Sequence, residues 1–221
     1  MKQVHVVIKN GIIDSADLKN PNYRPVLKWA LKGSMLYKAD LAVLSLLANY
    51  QWERPIYFTG GSYSDSEYIW MKKYLQLEGL VYKLVPIETN LGKENPYLMG
   101  RIDSDLMYDI VLNWNWGNSE RTDIYHDPET RKNSISFRSN MARLAEQLIN
   151  ENKTEKAKKV MDLAIEKMPL DYFGYYSLLV PFVDGYYRIN DVKVAQGLSK
   201  KIGYKYLTET LNSSNIEIYK N

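Results

Sequence analysis

The chain has 221 residues, 45% of them hydrophobic and 25% charged, which is enough for one large domain or two small ones with a sizeable core. Its net charge of +3, without a concentrated basic stripe, argues against a nucleic-acid surface. It has no cysteine, which removes disulfides, thiolate metal sites and cysteine nucleophiles together.

Val4 to Lys9 is β-rich and is followed by Asn10-Gly11, the favoured two-residue hairpin turn, so Ile12 and Ile13 are predicted to begin a return strand. Residues 14–38 are expected to be irregular. Asp40 opens a helix that runs to about Gln51, with Leu41, Leu44 and Ala48 on one face, and Pro55 ends it by pushing Arg54 out of the helical region. Ile56 to Phe58 is a short strand closed by Gly60-Gly61. Ser64-Asp65-Ser66-Glu67 is a capping box that starts a helix to Glu78, with Gly79 as its stop, and Leu80 to Val85 is the next strand. Strand, helix and strand in this order predict a βαβ unit with parallel strands.

A polar loop over residues 88–100 leads to a helix from Asp103 to Asn113, and Trp114 to Asn133 is expected to be irregular. The last third is helical. Phe137, Met141, Leu144 and Leu148 form one apolar stripe, and Ala157, Val160, Met161, Ala164, Ile165 and Met168 form a second that ends at Pro169. Tyr176, Leu179, Val183 and Tyr187 form a third stripe with a kink at Pro181, and Ala195, Leu198 and Ile202 begin a fourth. The turn Asn152 to Ala157 recurs as Asn190 to Ala195, an offset of 38 residues, so these helices are read as two hairpins of tetratricopeptide type. The expected fold is therefore α/β plus all-α: a small α/β layer with a βαβ unit in a mixed sheet, then two such hairpins. The expected division is an α/β region over 1–100, a helix and connector over 101–136, hairpins over 137–211 and a polar tail over 212–221.

Several segments in succession resemble one family. They are Asp40-Leu41, Val43-Leu44, Leu47-Ala48-Asn49, Trp52 to Phe58, Lys73 to Gln76, Glu78-Gly79-Leu80, Tyr82 to Pro86, Met107-Tyr108-Asp109, Trp116-Gly117, Phe137-Arg138 and Ala142 to Glu146. Their order and spacing resemble the region that follows the membrane spans in the Bacteroidetes family called domain of unknown function 2723, which is similar to protein O-mannosyltransferases and other lipid-linked-sugar glycosyltransferases. The resemblance covers about residues 39–211. It implies a periplasmic region of an inner-membrane protein whose many-span half carries the glycosyl transfer. No position of this chain matches the family's catalytic motif, so the resemblance implies a non-enzymatic accessory region whose partners are that membrane half and an acceptor protein or glycan.

No apolar run reaches the roughly 18 residues of a membrane span, and Met1 to Ile13 lacks the apolar core of a signal peptide. Aromatic usage is the unusual feature: nineteen Tyr and five Trp against four Phe. Rings with polar handles suit half-buried surfaces, protein interfaces and sugar platforms. Trp52, Arg54, Tyr57, Trp114, Trp116 and Tyr125 are the candidate ligand-binding residues, since rings stack on sugars and Arg binds carboxylate or phosphate. The plainer reading is that Trp52 and Trp116, with Arg138 and Arg143, plug and brace the junction between the α/β layer and the hairpins. The group Tyr172, Tyr175, Tyr176, Tyr186 and Tyr187 reads as repeat packing.

No catalytic residue, metal site or cofactor is expected. Gly60-Gly61 lacks the Lys-Ser/Thr of a phosphate loop, Asp103, Asp105 and Asp109 read as N-terminal helix charge, and His126-Asp127-Pro128 reads as a turn. A tetratricopeptide-type scaffold of the cell envelope and a carbohydrate-binding module are the alternative functions. Nothing resembling a hydrolase triad stands out.

Overall fold

The computed structural model describes residues 2–8, 15–31, 36–59, 68–91 and 99–218. They belong to two units, Met1–Asp103 and Ser104–Asn221.

In the first unit, β1 (Lys2–Val7) runs antiparallel to β2 (Val26–Leu31), with Val4 opposite Trp29 and Val6 opposite Leu27. The partner of β1 thus lies in a stretch expected to be irregular, while the Asn10-Gly11 turn with Ile12 and Ile13 lies outside the described residues. The reason is visible in β2. Leu27 and Trp29 alternate with Lys28, so the strand buries one face, at 0% and 6% exposure, and leaves Lys28 in solvent. A single helical turn, α1 (Ser15–Leu18), precedes it. The helix α2 (Lys38–Ala48) starts at Tyr37, whose backbone N–H donates to Asp40 Oδ2 at 2.8 Å. Its inward residue is Leu47, and Leu41 is 53% exposed, so the buried face is rotated from the one expected through Leu41 and Ala48.

The remaining strands of this unit are β3 (Tyr57–Thr59), β4 (Leu75–Glu78), β5 (Val81–Leu84) and β6 (Arg101–Ile102), in the order β3-β5-β4-β6. The sheet is mixed, but the expected βαβ unit is not formed. β3 and β4 both pair antiparallel with β5, and only β4 and β6 are parallel. The predicted helix to Glu78 is instead a 3₁₀ segment, Ile69–Tyr74, that gives way to β4. Gly79, with φ 67, is the first residue of the two-residue turn between β4 and β5, a place that demands positive φ, and not a helix stop. Leu75-Gln76-Leu77-Glu78 alternates with period two, and this pattern matches Val81 to Leu84 across the ladder. The Gly60-Gly61 turn and the Ser64 to Glu67 capping box lie outside the described residues.

The ribbon and the sheet share one core. The Trp29 ring lies 5.1 Å from that of Trp70 and 6.1 Å from that of Tyr74. The Tyr74 hydroxyl accepts the Lys28 backbone N–H at 3.2 Å, and Tyr23 bridges Ile87. Glu88 then accepts from both Arg24 Nε at 2.9 Å and Lys73 Nζ at 2.6 Å.

The second unit begins with α3 (Ser104–Leu112), which buries Met107 and Val111. A short helix, α4 (Pro128–Lys132), stands in the stretch expected to be irregular. Asp127 caps it by accepting the N–H groups of Glu129 and Thr130 at 2.9 and 3.1 Å, and Pro128 supplies the fixed φ of a first turn. The chain continues through α5 (Ser134–Asn150), α6 (Thr154–Lys167), α7 (Leu170–Phe173), a 3₁₀ turn at Tyr176–Leu179, α8 (Val180–Arg188) and α9 (Val192–Ile218). The stripes expected in α5 and α6 are the buried ones, apart from Phe137 and Ile165, which are half-buried. The third differs: Leu179, Phe182 and Tyr186 point inward, while Tyr187 is 46% exposed. Pro181 begins α8 rather than kinking it, and the tighter 3₁₀ turn before it shifts the phase of the buried face. The helix α9 runs to Ile218, through the segment expected to be a polar tail.

The helices of this unit pack as consecutive pairs, α5 with α6 and α8 with α9, and α8 also contacts α5 and α6. The two pairs close with the same turn. Asn152 and Asn190 both take left-handed backbone, with φ 59 and 65. Lys153 N–H donates to Leu148 O and Asp191 N–H to Tyr186 O, each at 2.8 Å, while Asn152 and Asn190 donate to Ile149 O and Tyr187 O, each at 3.0 Å. These are two Schellman closures 38 residues apart. The same offset maps buried residue onto buried residue: Met141 onto Leu179, Leu144 onto Phe182, Leu148 onto Tyr186, Ala157 onto Ala195, Val160 onto Leu198 and Ala164 onto Ile202.

Candidate functional site

The sequence candidates fall into two groups, one in each unit. In the first unit, Trp52 follows α2 at a bend, with φ 63 and only 6% exposure. Left-handed backbone is costly for so bulky a residue. Its ring lies 4.6 Å from that of Tyr50, and its buried Nε1 has no hydrogen-bond partner. Arg54 is exposed. Tyr57 is 46% exposed and donates its hydroxyl to Glu78 Oε2 at 3.0 Å.

Glu78 escaped the sequence reading, yet it anchors a polar group on one face of the sheet. Cross-strand register puts Tyr57 opposite Lys83 and Lys83 opposite Gln76. Gln76 Nε2 donates to Glu78 Oε1 at 2.9 Å, and Lys83 Nζ lies 3.6 Å from the same oxygen. The Glu78 carboxylate is 9% exposed and is therefore compensated by a phenol, an amide and an ammonium. Desolvation and the carboxylate of Glu78 push the Tyr57 phenol up to about 12, so it stays a donor at neutral pH.

In the second unit, Trp114 and Trp116 follow α3 and come together around a ring not singled out as a site residue. Phe137, on the first turn of α5, lies 5.0 Å from Trp114 and 5.4 Å from Trp116, and the two indoles are 5.5 Å apart. All three are half-buried. The loop that carries the indoles is fixed: Asn115 Oδ1 accepts Gly117 N–H at 3.0 Å, Ser119 N–H donates to Trp116 O at 3.0 Å, and Ser119 Oγ donates to Lys167 O at 2.7 Å. Tyr125 is 79% exposed. Beside it, Tyr172 holds the chain by donating to Ile124 O and accepting His126 N–H, both at 2.7 Å. The His126 ring packs against Tyr172 and Phe173, and its buried Nε2 has no partner.

The acidic residues near α3 do not form a cation site. Asp105 is neutralised by Lys153 and Lys156, each at 2.7 Å, and these ammonium groups hold its carboxyl at about 2. Asp103 lies 4.0 Å from Arg101. Among the described residues no group of three His, Cys, Asp or Glu is placed to hold a metal.

Arg138 was expected to brace a junction between the layers, and its hydrogen bonds lie within the second unit. It is fully buried, and its guanidinium donates to the Met168 carbonyl at 2.7 Å and to the Gly174 carbonyl. Burial pulls it down to about 10. Its role is to pin the corner between α6 and the 3₁₀ turn, where carbonyls stand in for a carboxylate.

Residues 3–106 match the family model described as TMEM260-associated domain 2. The chain carries a region similar to a domain associated with a membrane protein. The match covers the first unit and the first turn of α3, and leaves the helical unit outside it. No curated protein and no solved structure matches the chain. Among the described residues no helix is long and apolar enough to cross a membrane.

Proposed function

We propose that this chain is a non-catalytic accessory region of a multi-span membrane protein of glycosyltransferase-like type. It sits at the periplasmic face of the inner membrane, where it braces the catalytic half or receives the acceptor protein. The observation that carries the reading is the match of residues 3–106 to a domain named for its association with a TMEM protein. The sequence resemblance over residues 39–211 supports the glycosyltransferase-like assignment, and the absence of a family catalytic motif supports an accessory role. In this reading the first unit attaches the region to its membrane half, and the helical unit presents a surface to the acceptor.

The test has two steps. The reading frame upstream of this chain is examined for apolar segments of about 20 residues, the length a membrane helix needs. The chain is then expressed separately and used to recover the detergent-solubilised membrane half. Several such segments and specific recovery are expected. A frame without any membrane segment sinks the proposal.

A second reading, a protein-interaction scaffold of tetratricopeptide type, is favoured by the 38-residue repeat of turn and buried positions in the second unit. It predicts that Ser104–Asn221, if it folds when expressed alone, captures a protein partner in cells that lack the membrane half.

A further inference from the structure

We propose that the Trp114–Trp116–Phe137 cluster is a binding platform for a neutral hexopyranoside. This goes beyond the accessory reading and rests on the second unit alone, so the two stand or fall separately.

Ligand sites combine aromatic walls with a few fixed polar groups. Here three rings lie within 5.0–5.5 Å of one another, two pairs edge-on and one tilted, and each residue is partly exposed. The loop that carries the two indoles is locked at both ends of its turn. Asn115 holds Gly117, and the Ser119 hydroxyl ties the loop to the end of α6. Little ordering remains to be done when a ligand arrives, which lowers the cost of weak binding.

The chemistry at the rim selects the ligand. Asn115 and Asn118, neighbours of the indoles in the chain, are exposed, and Asn118 has φ 61. The charged residues of the same loop are engaged elsewhere, Glu120 with Lys167 at 3.3 Å and Arg121 with Asp123 at 2.5 Å. The loop therefore offers aromatic faces, indole N–H donors and amides, with more carboxylates than cations. A pyranose ring complements such a surface: its C–H face stacks on an indole and its hydroxyls reach amides. For an anionic ligand the loop is unfavourable, since its one cation, Arg121, is accompanied by the carboxylates of Glu120 and Asp123.

The test is saturation-transfer NMR on the full chain with the methyl glycosides of glucose, galactose and mannose, with methyl glucuronoside as the charged comparison. Expected are transfer to the C–H protons of at least one neutral glycoside, weaker transfer to the glucuronoside, and titration shifts confined to the indole N–H signals of Trp114 and Trp116. Removal of one ring in Trp116→Ala weakens binding about tenfold, while Trp116→Tyr keeps most of it. The indole shifts are read on the unaltered protein, so they stand even where a variant fails to fold. No transfer to any neutral glycoside overturns the proposal, as do shifts confined to Trp29, Trp52 or Trp70. Self-association that disappears with Trp116→Ala, without sugar binding, assigns the platform to a second copy and also overturns it.

Discussion

Gly185 on α8 marks a close approach of the two helical pairs. A Cβ at this position would lie 2.6 Å from Met161 Sδ on α6 and 3.5 Å from Ile149 Cδ1 on α5. The first distance is about 1 Å inside ordinary contact. Met161 is fully buried, but the clash falls on the far end of a flexible side chain, so Gly185→Ala forces a rotamer change and not a backbone shift. The cost expected is about 1–3 kcal/mol. Met161→Ala alone removes buried contacts and leaves a cavity, at about 2–5 kcal/mol. In the double variant the added methyl enters the vacated space. Its destabilisation should fall short of the sum of the single effects by at least about 1 kcal/mol. Urea denaturation followed by the far-ultraviolet helical signal measures all four species. Additivity within about 0.5 kcal/mol would mean that the pairs do not interlock at this point.

Gly100 tests the first unit in the same way, with less room for relief. A Cβ there would lie 2.3 Å from the Leu75 carbonyl oxygen, a backbone atom, and φ is +67, so Gly100→Ala is expected to cost about 3 kcal/mol or more in unfolding experiments. Asn152→Ala and Asn190→Ala should each cost about 1 kcal/mol, and the corresponding glycine variants close to nothing, because both turns need left-handed backbone; unequal costs would contradict the equivalence of the two turns. Asp105 is an acid whose folded value lies below its unfolded one, so its contribution is present above 3.8 and is lost as pH falls toward about 2. Unfolding midpoints measured through that window should fall less steeply in Asp105→Asn, and added salt should shrink the difference because the side chain is exposed. Tyr172→Phe removes the donor to Ile124 and the acceptor for His126, and hydrogen exchange at His126 should rise several-fold.

The helical unit was legible because its buried residues recur with helical spacing and its turns repeat. Asn152 and Asn190 could be matched from sequence alone. The sheet of the first unit was not legible. Met71, Tyr74 and Leu75 are spaced like a helix face, and all are buried at 0–1% exposure. The period changes to two at Leu75, yet Gln76 and Glu78 are buried as well, so alternation in residue type does not correspond to alternation in exposure. The capping signature at Ser64 and a glycine at position 79 completed a false helix. The candidate site was half legible for a related reason. Trp114 and Trp116 stand out by type, but their meeting depends on Phe137, 21 residues further on, which the helical pattern had already assigned to packing. Glu78 carried no signal, because its partners Tyr57 and Lys83 are brought to it by strand register.

The repeat also shows how the two helical pairs meet. Three residues of α6 meet the following pair: Lys158 holds Asp191 at 2.5 Å, Met161 faces Gly185, and Asp162 accepts the Tyr186 hydroxyl at 2.6 Å. Burial and this carboxylate together push the Tyr186 phenol far up, so it stays a donor at neutral pH. An offset of 38 carries these three positions to Gln196, Ser199 and Lys200 on α9, all exposed. None of them is apolar, and none repeats the thioether that fills the space beside Gly185. Lys158 and Asp162 are themselves charged and partly exposed, so the position that differs in kind is Met161, whose counterpart is Ser199. α9 thus lacks the thioether that fills the first interface, while its Tyr204 and Leu207 stand 71% and 66% exposed. The ring cluster of Trp114, Trp116 and Phe137 takes no part in these repeat contacts and is a separate surface of the same unit.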